Sequence, residues 1–283
     1  YIEELEREAP AIVENSTPES SWPQNGVIEF RNYNMRYRSE FDLVIKDLSF
    51  AVGKNKKISI VGRTGAGKSS ITYALMRLVD PVDSQIIIDG IDISNIGLQD
   101  LRSRISIISQ DPVLFEETIR DNLDPANEYT DGEVWAAIRA NQIDDLRHKC
   151  LEGVGPDKWV ENGGNNFSVG QRQLISLCRA LLWQRKIVIL DEATANTDTK
   201  TDQILQEDCT VLTIAHRLGT VMDSDRILVM DHGQMAEFDM PDNLFANKNR
   251  HFSQMVESMK VNQGVYFYML VIINVNEFNP SHI

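Results

Sequence analysis

Three features are scarce in this chain of 283 residues. Cysteine is the first: Cys150, Cys178 and Cys209 lie far apart, with no C-x-x-C pair, and the last two fall inside apolar segments. That favours buried thiols in a reducing compartment over a disulfide or a zinc site. Long apolar runs are the second, because no stretch reaches the roughly 18 residues a spanning helix needs, and no signal peptide is visible. By itself the chain is expected to be soluble. Positive charge is the third: 28 Lys and Arg stand against 42 Asp and Glu, for a net charge of −14 and a pI of about 4.8. Such a balance is the opposite of a nucleic-acid footprint, so no nucleic-acid partner is expected.

Apolar residues are not scarce. At 42% they suffice for a core, in one large domain or two small ones. The most informative stretch is Gly62-Arg63-Thr64-Gly65-Ala66-Gly67-Lys68-Ser69-Ser70. An apolar strand, 57–61, precedes it, and Ile71, Leu75 and Leu78 follow at helical spacing. Strand, glycine loop and helix form the context that gives a G-x-x-x-x-G-K-[ST] match its meaning. The glycines let backbone N–H groups turn inward, and the helix start adds its positive dipole end. Lys68 is then placed for β- and γ-phosphates, and the Ser69 hydroxyl for Mg²⁺.

Residues 1–9 have the pattern of a helix end, and 10–26 the composition of a linker. The runs 27–30 and 43–48 predict strands of an antiparallel portion beside the phosphate loop's sheet. Tyr37, between Arg36 and Arg38, is either an interfacial tyrosine or an aromatic face for adenine. The runs 85–90 and 104–109 predict two more strands, the second followed by Gln110. A residue there is either a solvent-facing turn or a group reaching Mg²⁺ or an attacking water, since ligands collect at the carboxyl ends of parallel strands. From 117 to 150 the pattern is helical.

Ser168-Val169-Gly170-Gln171 has capping-box spacing ahead of the amphipathic run Leu174, Ile175, Leu177, Cys178, Leu181 and Leu182. This is either a well-capped helix alone or, given the helix-weakening Gly170, a second anion-facing helix start. Residues 186–190 are an apolar strand that ends in Asp191 and Glu192. A strand of this kind belongs inside a parallel sheet, with Asp191 where Mg²⁺ is held and Glu192 one step further toward the water at the γ-phosphate. Residues 209–215 predict a further buried strand ending at His216, which is read as the one histidine of five at a strand's carboxyl end. A hairpin turning at 231–233 and helical patterning to about residue 260 complete the chain.

Taken in order, the phosphate loop, Gln110, Ser168 to Gln171, Asp191-Glu192 and His216 resemble the nucleotide-binding domain of ATP-binding cassette (ABC) transporters. The resemblance covers roughly residues 22–260. Ser21 to Gly26, Arg36-Tyr37-Arg38, Gln110 to Phe115, Asn166 to Gln171 and Leu212 to Arg217 are similar to the second, C-terminal cassette of the multidrug-resistance-associated subfamily. The resemblance implies an α/β fold: a P-loop NTPase core, an antiparallel β subdomain and an α-helical signature subdomain at about 115–183. It implies a linker at 1–21 from an upstream membrane domain and an atypical tail at 261–283.

Roles are implied for the matched positions. Tyr37 stacks on adenine, Gly62 to Ser70 form the Walker A loop, Gln110 is the Q-loop residue and Ser168 to Gln171 are the signature. Asp191 is the Walker B aspartate, Glu192 the catalytic base, Asp198 the D-loop aspartate and His216 the switch histidine. The expected cofactors are ATP and Mg²⁺, the latter held by Ser69, Gln110 and Asp191. The expected partners are a second nucleotide-binding domain, in a head-to-tail ATP sandwich, and the transporter's transmembrane domains. Through these the chain would sit on the cytoplasmic face of a plasma or vacuolar/lysosomal membrane and power efflux of organic anions or conjugates. A soluble ABC ATPase of DNA repair or translation fits the acidic charge poorly.

The chain also departs from the family. Ser84 replaces a glycine, and Asn196-Thr197 replace smaller or apolar residues. Only residues 199–208 link Asp198 to the strand at Cys209, whereas a parallel crossover usually takes about a dozen residues or more, and ten helical residues span about 15 Å. The resemblance also implies that about seven residues are missing relative to the family pattern, in a link already short by the crossover rule. This expectation opens a second reading, a nucleotide-binding module or non-functional fragment without turnover, from a fragmentary or mis-spliced gene. Exposed, the apolar tail at 265–273 would be an aggregation-prone strand.

Overall fold

The computed structural model describes residues 8–140, 155–191, 208–215, 218–246 and 250–263. Asp198, the 199–208 link, Cys150 and the tail beyond 263 lie outside the described residues.

Two sheets face one core. The first is antiparallel, in the order β2-β1-β4-β5, with β1 at Ile28–Met35, β2 at Ile45–Val52, β4 at Gln85–Ile88 and β5 at Ile91–Asp92. The second has six strands in the order β10-β9-β3-β8-β7-β6. Its members are β3 (Lys57–Gly62), β6 (Ile105–Ile108), β7 (Ile187–Asp191), β8 (Thr210–Ile214), β9 (Arg226–Asp231) and β10 (Gln234–Asp239). Strands β9, β3, β8, β7 and β6 run parallel, and β10 pairs antiparallel with β9.

The apolar runs explain which strands lie inside. In β8 every residue is buried, and in β7 all but Asp191 are, as expected for parallel strands covered on both faces. In β2 buried and exposed residues alternate, which fits a sheet with one dry face. The sheets meet where Phe50 of β2 stacks on Phe30 at 4.6 Å and takes the edge of Phe238 of β10 at 5.7 Å. Side chains of this kind stabilise the fold by about 1.5–3 kcal/mol each when fully buried.

Helices cover the rest. Helix α1 spans Lys68–Leu75, α2 Leu98–Arg102, α3 Ile119–Leu123, α4 Asp131–Ala140 and α5 Val169–Trp183. After β8 come α6 (Leu218–Met222), α7 (Pro241–Ala246) and α8 (His251–Gln263). Leu114, Ile119, Leu123, Val134, Ile138, Phe167, Ile175 and Cys178 form a second apolar cluster between α3, α4 and α5. No helix among the described residues is long and apolar enough to cross a membrane.

Three local expectations are corrected. Helix α1 stops at Leu75, so Leu78 does not extend it and is 52% exposed. The cause is Arg77, in the left-handed region with φ 46°, whose guanidinium donates to the carbonyls of Ile93 and Ile96 at 2.8 Å each. The second strand begins at Ile45, not Leu43, and runs on to Val52. His216 is not alone at a strand's carboxyl end, because His232 directly follows β9 in the turn to β10.

Residues 8–27 lie along the first sheet's rim. Pro10 and Ala11 carbonyls accept from the N–H groups of Leu98 and Gln99, and the Arg102 guanidinium, hydrogen-bonded to Glu8, holds that carboxyl below its usual range. Trp22 is buried, and its Nε1 donates to the Ile88 carbonyl at 3.0 Å. Next to it, Asp89 accepts from the backbone N–H groups of Asn25, Gly26 and Val27 at 2.7, 3.2 and 2.8 Å. Replacing Asp89 with Ala leaves three donors without that acceptor and is expected to lower the unfolding free energy by about 2 kcal/mol, read by urea titration. The two described cysteines, Cys178 and Cys209, are buried and outside any disulfide, and burial pushes the Cys209 thiol up to about 11. Both are expected to resist a thiol reagent at pH 8 in the native state and to react on unfolding, read by peptide mapping of the labelled protein.

Candidate functional site

The register of the parallel sheet brings the site together. Ile60 of β3 pairs with Ile214 of β8, which pairs with Asp191 of β7, while Leu190 pairs with Ile108 of β6. The carboxyl ends of four strands therefore share one edge. Gly62 leads the glycine loop from β3, Asp191 ends β7, and Gln110 lies two residues beyond β6 with an exposed side chain. Glu192 and His216 lie outside the described residues.

The glycine loop is shaped by its backbone. Arg63, Thr64, Gly65 and Ser69 are exposed, whereas Ala66, Gly67, Lys68 and Ser70 are buried. Lys68 is 7% exposed, and its Nζ donates to the carbonyls of Gly62 at 2.8 Å and Arg63 at 3.1 Å, so an ammonium is held within the loop's curve. Gly67 is the N-cap of α1, in the left-handed region at φ 95°. It brings no side chain to the first-turn N–H groups, and no acidic residue stands in that turn. The capping side chains of Thr118 and Ser168 at α3 and α5 make the contrast. An uncapped helix start beside a buried ammonium suits a polyanion. A Cβ on Gly65 would meet nothing within 4 Å, so the loop's concave side has room for one.

The loop is braced from outside. The turn His232-Gly233 has positive φ at both residues, 47° and 82°, as a two-residue hairpin turn requires. Gly233 donates its N–H to the Ala66 carbonyl at 3.1 Å and accepts from Lys46 N–H at 2.8 Å. A Cβ there would lie 2.3 Å from the Val44 carbonyl oxygen. Neither Gly233 nor Val44 was read as part of the site, and the glycine in the hairpin turn was the only signal. His232 itself is exposed.

Tyr37 lies between β1 and β2, where its Oη and Ser70 Oγ share a hydrogen bond of 2.8 Å. Its ring is 43% exposed. Ser70 thus turns its hydroxyl to Tyr37, while Ser69 leaves its own at the surface.

Ser168 caps α5 with a full capping box: its side chain accepts from Gln171 N–H at 3.3 Å, and the Gln171 side chain accepts from Ser168 N–H at 2.8 Å. Ser168 and Val169 are exposed and Gly170 is half-buried at this helix start. Two residues the sequence did not single out tie α5 to the segment after β6. Gln173 Nε2 donates to the Gln110 carbonyl at 2.7 Å, and Arg172 pairs with Asp111. Among the described residues no group of three His, Cys, Asp or Glu side chains could hold a metal ion.

Replacing Gly233 with Ala is expected to cost more than about 1 kcal/mol of stability and to weaken polyphosphate binding by shifting Ala66. Thermal melting and titration with inorganic tripolyphosphate read the two effects separately.

Known proteins with these features were compared with the chain. The family described as ABC transporter matches residues 45–195. ABC transporter C family member 13 of Oryza sativa is 52% identical over 259 residues, 89% of this chain and 17% of the relative. The metal resistance protein YCF1 of Saccharomyces cerevisiae is 48% identical over 269 residues, 92% of this chain and 18% of the relative. Human ATP-binding cassette sub-family C member 3 is 49% identical over 248 residues, 85% and 16%. The chain therefore spans less than a fifth of the length of these relatives. The solved structure of a bacterial Atm1-family ABC exporter with ATP bound superposes with a TM-score of 0.75 at 33% identity, covering 88% of this chain and 43% of that one. With a parallel sheet whose strand ends carry a glycine loop and an aspartate, beside a helix that starts in a capping box, and with this similarity to subfamily C transporters, the chain belongs to the ABC transporter family.

Proposed function

We propose that the chain binds and hydrolyses ATP as one of two nucleotide-binding domains of a subfamily C exporter, and that hydrolysis drives efflux of organic anions or conjugates. The observation that carries this reading is the shared edge of the parallel sheet, where the loop that holds the buried Lys68 follows β3 and Asp191 ends β7, one on either side of β8. Residues 62–70 would receive the triphosphate, with the Lys68 ammonium exchanging its loop carbonyls for β- and γ-phosphate oxygens. Ser69, Gln110 and Asp191 would hold Mg²⁺, which would supply neutralising charge to the phosphates. Tyr37 would stack on adenine. Glu192 would orient and deprotonate the attacking water, and His216 would hold the γ-phosphate side in place.

The exposed α5 start, Ser168 to Gln171, would close over ATP held by the loop of a partner domain. The homologous exporter with ATP bound supports the ligand, and the length of the subfamily C relatives supports transmembrane domains in the same transporter. Through those domains the chain would lie on the cytoplasmic face of a plasma or vacuolar/lysosomal membrane. Within this reading, 22–260 is the ATP-binding domain, 115–183 its helical part, and 1–21 and 261–283 are its linker and tail. The β7–β8 connection as a whole, 192–209, is long enough for a parallel crossover; the link at 199–208, short relative to the family pattern, favours one other reading, a module that binds ATP without turnover.

Lys68→Ala is expected to weaken ATP binding at least about 30-fold, the loss of a charged contact worth about 2 kcal/mol. Glu192→Gln is expected to keep binding and to lower phosphate release by about 10²–10⁴-fold. Nucleotide titration of the purified chain and phosphate release in a full transporter carrying it read these outcomes. Tight Mg-ATP binding with no release in that transporter would establish the module instead.

A further inference from the structure

We propose that Tyr73, a residue to which none of the motifs gives a role, positions the ring of Tyr37 for the base of the nucleotide. The proposal rests on the adenine-stacking role assigned to Tyr37 above.

Helix α1 touches Tyr37 at two points. Ser70 meets the phenol oxygen at 2.8 Å, and Tyr73 meets the ring edge-on, with centroids 6.2 Å apart and planes at 68°. Ser70 and Tyr73 are three residues apart and so lie on one face of the helix. The two contacts constrain different motions. The phenol oxygen lies on the axis through Cγ and Cζ about which the ring turns, so the bond to Ser70 anchors the tip and leaves the tilt of the plane free. Tyr73 packs against the ring itself, with the planes at 68°, so a change of tilt would alter that contact. Distance and angle both match the edge-to-face arrangement that aromatic pairs favour.

Stacking on a flat base depends on the plane, not on the tip. With Tyr37 at 43% and Tyr73 at 40% exposure, the pair keeps an accessible aromatic surface at the loop's flank. Arg38, next in the chain, lies over the Phe41 ring at 5.8 Å, which gives the turn beyond Tyr37 a support of its own. Tyr73 acts through Tyr37, so it is a positioning residue whose effect is confined to the base.

The test uses the full chain, with ATP and inorganic tripolyphosphate as probes. Tyr73→Leu keeps apolar bulk and removes the ring edge; it is expected to weaken ATP binding about three- to tenfold and to leave tripolyphosphate binding unchanged. Tyr73→Phe keeps the edge and is expected to bind both probes as the natural chain does. In a Tyr37→Leu background, Tyr73→Leu is expected to have no further effect on ATP. Equal losses for both probes, a loss that persists without Tyr37, or ATP binding unchanged in Tyr73→Leu would each overturn the proposal while leaving the phosphate-loop reading intact. A natural chain that binds neither probe would overturn both.

Discussion

Between the phosphate loop and the β9–β10 turn there is room for backbone only. Gly233 sits so close to Val44 that a single added carbon would lie 2.3 Å from its carbonyl oxygen, and from there it donates to Ala66 inside the loop. The loop's curve is therefore set partly by its own glycines and partly by a hairpin and a strand that arrive from distant parts of the chain. Everything at this edge of the molecule depends on that close approach. It fixes where α1 starts, hence where the Lys68 ammonium is held and where Ser70 and Tyr73 meet Tyr37.

The same edge reconciles the proposed polyanion with an acidic protein. The net charge is −14, yet the loop holds one buried ammonium and leads into a helix start without an acidic residue in its first turn. Local dipoles at hydrogen-bonding distance outweigh charges that are remote and screened beyond about 10 Å. Net charge describes which macromolecules the surface repels. It says little about a site this well enclosed by backbone.

Much of this was legible in the sequence because it is encoded over short spans. The glycine spacing before Lys68, the three-residue step from Ser168 to Gln171, and apolar runs ending in Asp191 or Gln110 each specify their own local geometry. Features set by distant partners were not legible. Helix α1 ends early because Arg77 finds the carbonyls of Ile93 and Ile96, and no periodicity before Arg77 announces them. Gln85–Ile88 joins the antiparallel sheet, while Ile105–Ile108, just as apolar, joins the parallel one. Register with β1 and β7 makes that choice, and neither run carries it alone. The brace at Gly233 and the ties from Gln173 and Arg172 belong to the same kind, since each joins residues far apart in sequence.

Those last two ties have a mechanical meaning. Gln173 grips the Gln110 carbonyl one turn beyond the α5 cap, and Arg172 grips Asp111 beside it. The backbone leaving β6 and the start of α5 are thus stitched side by side and behave as a single rigid body. A displacement at Gln110 would be carried through these two contacts toward the exposed Ser168 and Val169 at the start of the same helix. A strand end and a helix cap with no common motif in the sequence become two ends of one beam.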